Sequence, residues 1–248
     1  MSVIEISRYE FKYLLTPGEV PEVRRFLLRY CTPDDNARGL EWYGIESLYL
    51  DTPDYRFFRA SAQKEYNRLK LRVRAYANGG GPVKFEIKRR AGDLVTKRSL
   101  LVPRPAWERF AVSGTAAEFA FLVENFHAAP KLLVHYERQA FHSVVDDYVR
   151  VTFDRRIRCQ ATREWSLDGA PQAWHAVDRN RDSSSYVLEV KFQLAAPAWL
   201  RDMVATFGLE RRGFSKYVRG VRQAVFGQEP AWGLRPVAAA PGLLGRVA

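Results

Sequence analysis

The run Arg68-Leu-Lys-Leu-Arg-Val-Arg74 places a cation at every second position. A β-strand sends successive side chains to opposite faces, so the four cations would line one face and the three aliphatic residues the other. Four like charges in a row repel one another and need an anion, water or interleaved carboxylates as partners. The run therefore predicts either a solvated sheet face or an anion site, and the rest of the chain decides between them.

The same alternation recurs along most of the chain, and repeated apolar positions at helical spacing lie between the alternating stretches. The predicted strands are 4–15, 41–51, 68–74, 83–90, 94–102, 131–141, 148–158 and 186–193. The predicted helices are 17–31, 55–62, 107–110, 116–126, 197–207 and 215–225. Strands of this kind can close into a barrel with a charged lumen. The predicted fold is therefore α+β (mainly β): an eight-stranded antiparallel β-barrel tunnel with helices packed outside.

The charged faces of these strands would meet inside such a barrel. The candidate inward residues are Arg8, Glu10, Lys12, Lys70, Arg72, Arg74, Glu86, Lys88, Lys97, Tyr136, Arg138, Arg150, Asp154, Glu189 and Lys191. Arginines offer forked donors to phosphate oxygens, lysines offer point charges, and a few carboxylates can hold a hard divalent cation. Phosphoryl transfer needs little beyond such positioning and charge neutralisation. The sequence lacks a P-loop, a dinucleotide fingerprint, a nucleophile elbow and zinc-type histidine spacing.

The composition limits the class of partner. A net charge of +11 over 248 residues indicates an anionic ligand: nucleic acid, nucleotide, polyphosphate or acidic lipid. The basic residues alternate with carboxylates, whereas a nucleic-acid groove is more often uniformly basic, so we expect no nucleic acid. No apolar run could span a membrane, and two cysteines without metal spacing suggest a reduced protein, so we expect a cytoplasmic one. We predict one domain over residues 1–226 and a disordered tail over 227–248.

Eight short motifs resemble, in the correct order, the vacuolar transporter chaperone (VTC) domain. The motifs are Arg8-Tyr-Glu-Phe-Lys12, Ser47-Leu-Tyr-Leu-Asp51-Thr52, Arg72-Val-Arg74, Glu86-Ile-Lys88, Tyr136-Glu-Arg138, Arg150-Val-Thr-Phe-Asp154, Leu188-Glu-Val-Lys191 and Ser215-Lys216-Tyr217. The VTC domain is similar in fold to the triphosphate tunnel metalloenzymes. In its eukaryotic members it makes polyphosphate from ATP with a divalent metal, preferably manganese. The resemblance thus implies a triphosphate, polyphosphate and Mn or Mg as ligands of the domain over residues 1–226.

The resemblance also implies roles for individual residues. Catalytic contacts to the phosphates would come from Lys12, Arg72, Arg74, Lys88, Arg138 and Arg150. Further substrate contacts would come from Lys97, Tyr136, Ser215 and Lys216, and Glu189 would bind the metal. The alternation adds Arg8, Lys70 and Lys191 as substrate-binding residues and Glu10 as a second metal ligand.

Two departures from the family pattern bear on the reaction. The hydrolytic relatives begin with Glu-x-Glu-x-Lys, whereas this chain has Arg8-x-Glu10-x-Lys12, which favours transfer to phosphate over activation of water. Polymerase members tend to carry a lysine where this chain has Gly213. The first hypothesis is a polyphosphate polymerase-like phosphotransferase. The alternatives are a nucleoside triphosphatase or tripolyphosphatase and a non-catalytic polyphosphate-binding module.

Overall fold

The computed structural model describes residues 3–34, 39–77, 81–104, 107, 117–146, 148–177 and 185–227, without the side chains of residues 3 and 4. These residues form ten strands and five α-helices. The strands are β1 (Val3–Leu15), β2 (Cys31–Pro33), β3 (Tyr43–Asp51), β4 (Asn67–Tyr76), β5 (Val83–Ala91), β6 (Leu94–Val102), β7 (Ala129–Ser143), β8 (Arg150–Ala161), β9 (His175–Ala176) and β10 (Tyr186–Phe192). The helices are α1 (Val20–Leu27), α2 (Arg56–Ala62), α3 (Ala117–Asn125), α4 (Ala198–Thr206) and α5 (Lys216–Ala224).

Eight of the strands close into a barrel. Their order is β7-β3-β4-β5-β6-β1-β10-β8, and β8 pairs back onto β7. Each of these pairings is antiparallel, and the two short strands β2 and β9 extend the sheet beside β7 and β8. The predicted fold class is therefore confirmed, since the eight barrel strands coincide with the eight predicted ones. The alternation did not predict β2 and β9, which are three and two residues long.

The apolar faces of the strands point outward and are covered by helices. Leu71, Val73, Phe85 and Ile87 belong to one buried cluster with Phe57 of α2 and with α3. A second buried cluster joins Val151, Phe153 and Val190 to α1 and α4. Each of these strand residues has at most 4% of its surface exposed. The hydrophobic effect thus selects which face of each strand is inside, because only one face can pack against the helices.

The first helix is shorter than the predicted range 17–31. Thr16 does not act as the N-cap; its backbone N–H and its hydroxyl both donate to the Glu19 carboxylate. The helix therefore begins at Val20 and ends at Leu27, and Cys31 already pairs with Ser143 in the sheet.

Truncation of Phe153 to alanine should lower the free energy of unfolding by about 3–5 kcal/mol. Phe153 is fully buried and makes an edge-on contact with Phe141 at 6.0 Å between ring centroids. Its replacement leaves a cavity between the barrel wall and the helices that cover it. Chemical denaturation of the two proteins measures the difference, and a loss below about 1 kcal/mol would contradict this packing.

Helix α5 lies against the inner face of the barrel at one end. Leu132 and Cys159 are on the side of β7 and β8 that faces the lumen, and a Cβ added to Gly220 would meet Leu132 at 2.6 Å. Tyr217 stacks on Tyr49 of β3 at 4.9 Å between ring centroids. The lumen is therefore divided along its length into an apolar end occupied by α5 and a charged end.

Two predictions fall on residues outside the described ranges. These are the tail over 228–248 and most of the predicted helix 107–110. None of the helices in the described ranges is long and apolar enough to cross a membrane.

Candidate active site

The strand registers bring the predicted residues to one inner surface. Directly opposite one another on neighbouring strands are Arg72 and Glu86, Lys70 and Lys88, Lys88 and Lys97, Lys12 and Glu189, Glu10 and Lys191, and Arg138 and Asp154. Opposite residues share a face, and these pairs follow one another around the barrel. The prediction that the charged rows converge on one lumen is therefore in agreement with the geometry.

Glu10 and Glu189 form the first of three carboxylate centres. Lys88 donates to Glu10 at 2.5 Å, and Arg8 reaches the other oxygen of Glu10 at 3.2 Å. Glu189 lies 3.6 Å from the ammonium of Lys12 and 3.2 Å from that of Lys191. Every oxygen of both carboxylates therefore faces at least one cation.

These cations dominate the protonation of the two carboxyl groups. Burial has the largest effect on Glu10 and raises its pKa, but Lys88, Arg8 and Lys191 together outweigh burial and the repulsion from Glu189, so that pKa falls to about 2. Burial likewise opposes ionisation of Glu189, while Lys12, Lys191 and Lys88 hold its pKa well below the usual value. Both groups are charged at neutral pH, which a cation ligand requires.

Glu86 is the second centre. Its carboxylate is almost fully buried and accepts from Arg72 at 2.6 Å and from Lys97 at 3.2 Å. Arg74 lies 3.6 Å from the same carboxylate, and Arg72 also donates to the hydroxyl of Tyr49 at 3.2 Å. Glu86 thus fixes three of the predicted phosphate-binding cations on the β4–β6 wall.

Asp154 is the third centre and is fully buried. Arg138 binds it through two nitrogens, at 2.6 and 2.8 Å, and Lys216 donates to it at 2.5 Å. Both cations also lie over the ring of Tyr136, with the Lys216 ammonium 4.5 Å from its centroid. Asp154 therefore ties the β7–β8 wall to the first residue of α5.

The N-terminus of α5 also contacts lysines of β1 and β4. Ser215 is the N-cap and accepts from the backbone N–H of Val218, as the sequence predicts. The ammonium of Lys70 donates to the same hydroxyl at 2.9 Å, and Lys12 donates to the backbone carbonyl of Phe214 at 2.9 Å. The segment before α5 thus spans from β1 and β4 to β8 across the barrel.

Arg150 is placed differently from the other predicted arginines. Its side chain is 36% exposed and forms an ion pair with Asp34, which follows β2. Arg150 is opposite Lys191 in the register, so it lies on the inner face but at the rim. Arg150 therefore lies farther from the centre of the lumen than the other predicted arginines of β4 and β7.

Three contributors to the site were not given roles from the sequence. Asp154 was a candidate inward residue without an assigned function, and Tyr49 and Tyr217 stand in motifs of the family resemblance that gave them no role. Asp51 accepts the hydroxyl of Tyr217 at 2.5 Å and the N–H groups of Phe57 and Phe58, so it joins α5 to the start of α2. The alternation of β3 places Tyr49 on the same face as Ser47. This periodicity is the sequence signal from which the inward position of Tyr49 could have been predicted.

The described residues contain no cluster of three His, Cys, Asp or Glu side chains that could hold a metal by itself. Glu10 and Glu189 nevertheless fit a hard divalent cation, because they are diagonal neighbours on β1 and β10 and offer only oxygen donors. Mg²⁺ is commonly held by one or two carboxylates together with substrate phosphates. Two carboxylates beside a lumen lined with cations match the protein part of that arrangement.

Comparisons with known proteins agree with this architecture. The VTC domain model matches residues 7–225, while a comparison with curated proteins gives no match. A solved protein from Bacillus halodurans described as a candidate adenylate cyclase is 10% identical, with a TM-score of 0.50, covering 85% of this chain and 95% of that one. A Hippeastrum protein described as having a dominant triphosphatase activity is 13% identical, with a TM-score of 0.46, covering 88% and 97%. At these identities the likeness concerns the fold.

The described residues form a closed eight-stranded antiparallel barrel around a basic lumen, the architecture that the resemblance to the VTC domain implies. The family match covers nearly the whole barrel and the helices around it. The chain belongs to the VTC domain family.

Proposed function

We propose that this chain is a metal-dependent, polyphosphate polymerase-like phosphotransferase. It moves the γ-phosphoryl group of ATP, or of another triphosphate, to the end of a polyphosphate chain. The observation that carries the proposal is the excess of cations in the lumen. Ten basic side chains (Arg8, Lys12, Lys70, Arg72, Arg74, Lys88, Lys97, Arg138, Lys191 and Lys216) would be charged beside bound phosphate and face four carboxylates (Glu10, Glu86, Asp154 and Glu189). That excess is more than one triphosphate neutralises, so the lumen has charge for further phosphates.

The three carboxylate centres suit phosphoryl transfer because they hold the cations before the ligand arrives. Arg72 and Arg74, fixed by Glu86, would neutralise equatorial oxygens of the transferred group on one wall. Arg138, fixed by Asp154, would do so from β7. Preorganised charges of this kind stabilise the transition state without having to reorient during the reaction.

Glu189 would hold a divalent cation, with Glu10 as a second ligand. The cation would neutralise negative charge on the phosphates of the donor. The lysines that pair with these carboxylates would then move to phosphate oxygens. Each lysine would exchange its carboxylate partner for a phosphate oxygen, and the divalent cation would take the place of the lysine beside the carboxylate. No buried carboxylate would then be left without a partner. Two free, buried cysteines, Cys31 and Cys159, support placing the protein in the reducing cytoplasm.

A second candidate, hydrolysis of the triphosphate, is favoured by the position of α5. The helix and the segment before it cross one end of the lumen, contacting β1, β3, β4, β7 and β8. A growing chain would have to leave by the end at which ATP enters, whereas water meets no such restriction. Against hydrolysis stands Arg8, which occupies a position where a further carboxylate would help to activate water and pairs instead with Glu10.

Product analysis decides between these two reactions. Purified protein incubated with ATP and manganese should release ADP together with polyphosphate chains, because the charged lumen retains the acceptor. Equal amounts of ADP and orthophosphate would instead establish the triphosphatase. Polyphosphate should also compete with ATP, with an affinity that falls as salt rises, since both ligands use the same cations. Tight polyphosphate binding without ADP release would leave only a binding module.

A further inference from the structure

Lys70 is the most poorly compensated cation of the lumen. In the β4–β5 register it lies directly opposite Lys88, and like charges directly opposite each other destabilise a sheet. Its ammonium donates to the hydroxyl of Ser215 at 2.9 Å. Among the described residues no carboxylate lies within 4.0 Å of it.

Five other lysines of the charged lumen each have a carboxylate partner. The pairs are Lys12 with Glu189, Lys88 with Glu10, Lys97 with Glu86, Lys191 with Glu189, and Lys216 with Asp154. Lys84, on the same face of β5 as Lys88, has no carboxylate within 4.0 Å among the described residues but lies over the ring of Tyr76. Within the described chain, Lys70 therefore differs from these lysines in having neither a carboxylate nor an aromatic ring beside its amino group.

The charged groups with the largest effects on Lys70 are all cations, and the carboxylates nearby are already paired with two of them, Glu10 with Lys88 and Glu189 with Lys12. Lys88 approaches from β5 and Lys12 from β1, while Arg68 and Arg72 flank it on β4. Ser215 approaches from the N-terminus of α5, where the helix dipole adds partial positive charge. Burial and the four neighbouring cations hold the pKa of Lys70 well below the usual value of a lysine.

We propose that Lys70 is an uncharged amine in the free protein and takes up one proton from solvent when the phosphates of the ligand enter the lumen. The inference rests on the proposed function, since it needs a polyphosphate group at this position. The phosphate charge reverses the local potential, and the protonated amine then donates to phosphate oxygens. Ser215 keeps its capping contact with Val218 in both states.

Proton uptake of this kind has a defined sign. Binding raises the pKa of Lys70 from its depressed value in the free protein. Between those two pKa values the bound state carries one proton more than the free state. The affinity for the polyanion therefore falls as pH rises through that window. The slope of this fall corresponds to one more bound proton than in a variant that is always charged at this position.

The test is titration calorimetry with tripolyphosphate in EDTA, repeated in buffers of different ionisation enthalpy. All titrations use the same ligand at about pH 8, so that proton changes of tripolyphosphate itself are common to every protein and cancel in the comparison. Wild-type protein should take up close to one proton more than Lys70→Arg, because arginine keeps the cation and does not deprotonate. Lys84→Arg, at a lysine that lies over the ring of Tyr76 and has no assigned role in binding, should show the wild-type uptake.

Equal uptake by wild type and Lys70→Arg would overturn the inference while leaving the proposed function intact. Failure of wild-type protein to bind tripolyphosphate would instead remove the proposed function. Matching melting temperatures of the three proteins verify that each is folded. Loss of binding in Lys70→Arg alone would also count against the inference, since a charged residue there should still attract phosphate.

Discussion

Replacing Arg138 by glutamine should lower the free energy of unfolding by about 3–5 kcal/mol, because it removes the main partner of a fully buried carboxylate. Asp154 has no exposed surface, and Arg138 binds it through two nitrogens at 2.6 and 2.8 Å. Lys216 alone would remain beside it. The melting temperature should fall by about 2–4 °C for each kcal/mol lost.

A second substitution separates the stability effect from the catalytic one. Arg138→Lys keeps a cation beside Asp154 but loses the forked pair of donors, so most of the stability should return while turnover stays low. Arg156→Gln is the matched control, because Arg156 is largely exposed in its ion pair with Glu137 and should cost about 1 kcal/mol or less. An Arg138→Gln protein as stable as wild type would contradict the buried pair. Full activity of Arg138→Lys would show that turnover does not need the forked guanidinium.

The same pair predicts acid sensitivity. Burial opposes ionisation of Asp154, but Arg138 and Lys216 outweigh it and lower its pKa below the unfolded value. The stability that this lowering contributes is present above the unfolded pKa, about 3.9, and is lost as pH falls.

The barrel was predictable because its signal is local. Each barrel strand alternates between charged and apolar residues, and only one register per strand buries the apolar set, as with Leu71 and Val73 in β4. Inward placement of Arg72, Lys88 and Glu189 followed from the same periodicity. The motifs in their correct order then added the family, which periodicity cannot supply.

The position of α5 was not predictable from the sequence in the same way. Its apolar residues are spaced like those of any helix that packs on the outside of a sheet. Gly220 was the one local signal, because a glycine inside a helix marks a close approach, here to Leu132 and Cys159. The contact of Tyr217 with Asp51 joins residues 166 positions apart, and no local pattern encodes such a pair.

The pairing of individual carboxylates with individual cations was likewise not predictable from the sequence. Alternation places Asp154 and Glu86 on the inner face but does not tell which arginine each one holds. The partners depend on the order of strands around the barrel, in which β1 lies between β6 and β10. Long-range order of that kind is set by closure of the sheet and not by neighbouring residues.

Replacing Glu189 by glutamine should shift binding and turnover in opposite directions. Glu189 lies near Lys12, Lys191 and Arg138, so it competes with phosphate for three cations. Glutamine keeps the size of the side chain and removes that competition. Tripolyphosphate should therefore bind more tightly than to wild type in EDTA, where no metal takes part.

Manganese-dependent turnover of the Glu189→Gln protein should fall by about 10²–10³-fold, the usual cost of losing one electrostatic stabiliser of a transition state. The matched control is Glu86→Gln, which also frees buried cations (Arg72, Arg74 and Lys97) but removes no proposed metal ligand. That control should bind tripolyphosphate more tightly in EDTA and keep the manganese concentration dependence of wild type. Unchanged turnover of Glu189→Gln across a manganese titration would rule out the ligand role. Weaker binding in EDTA would show that Glu189 helps to shape the lumen instead of competing with the ligand for its cations.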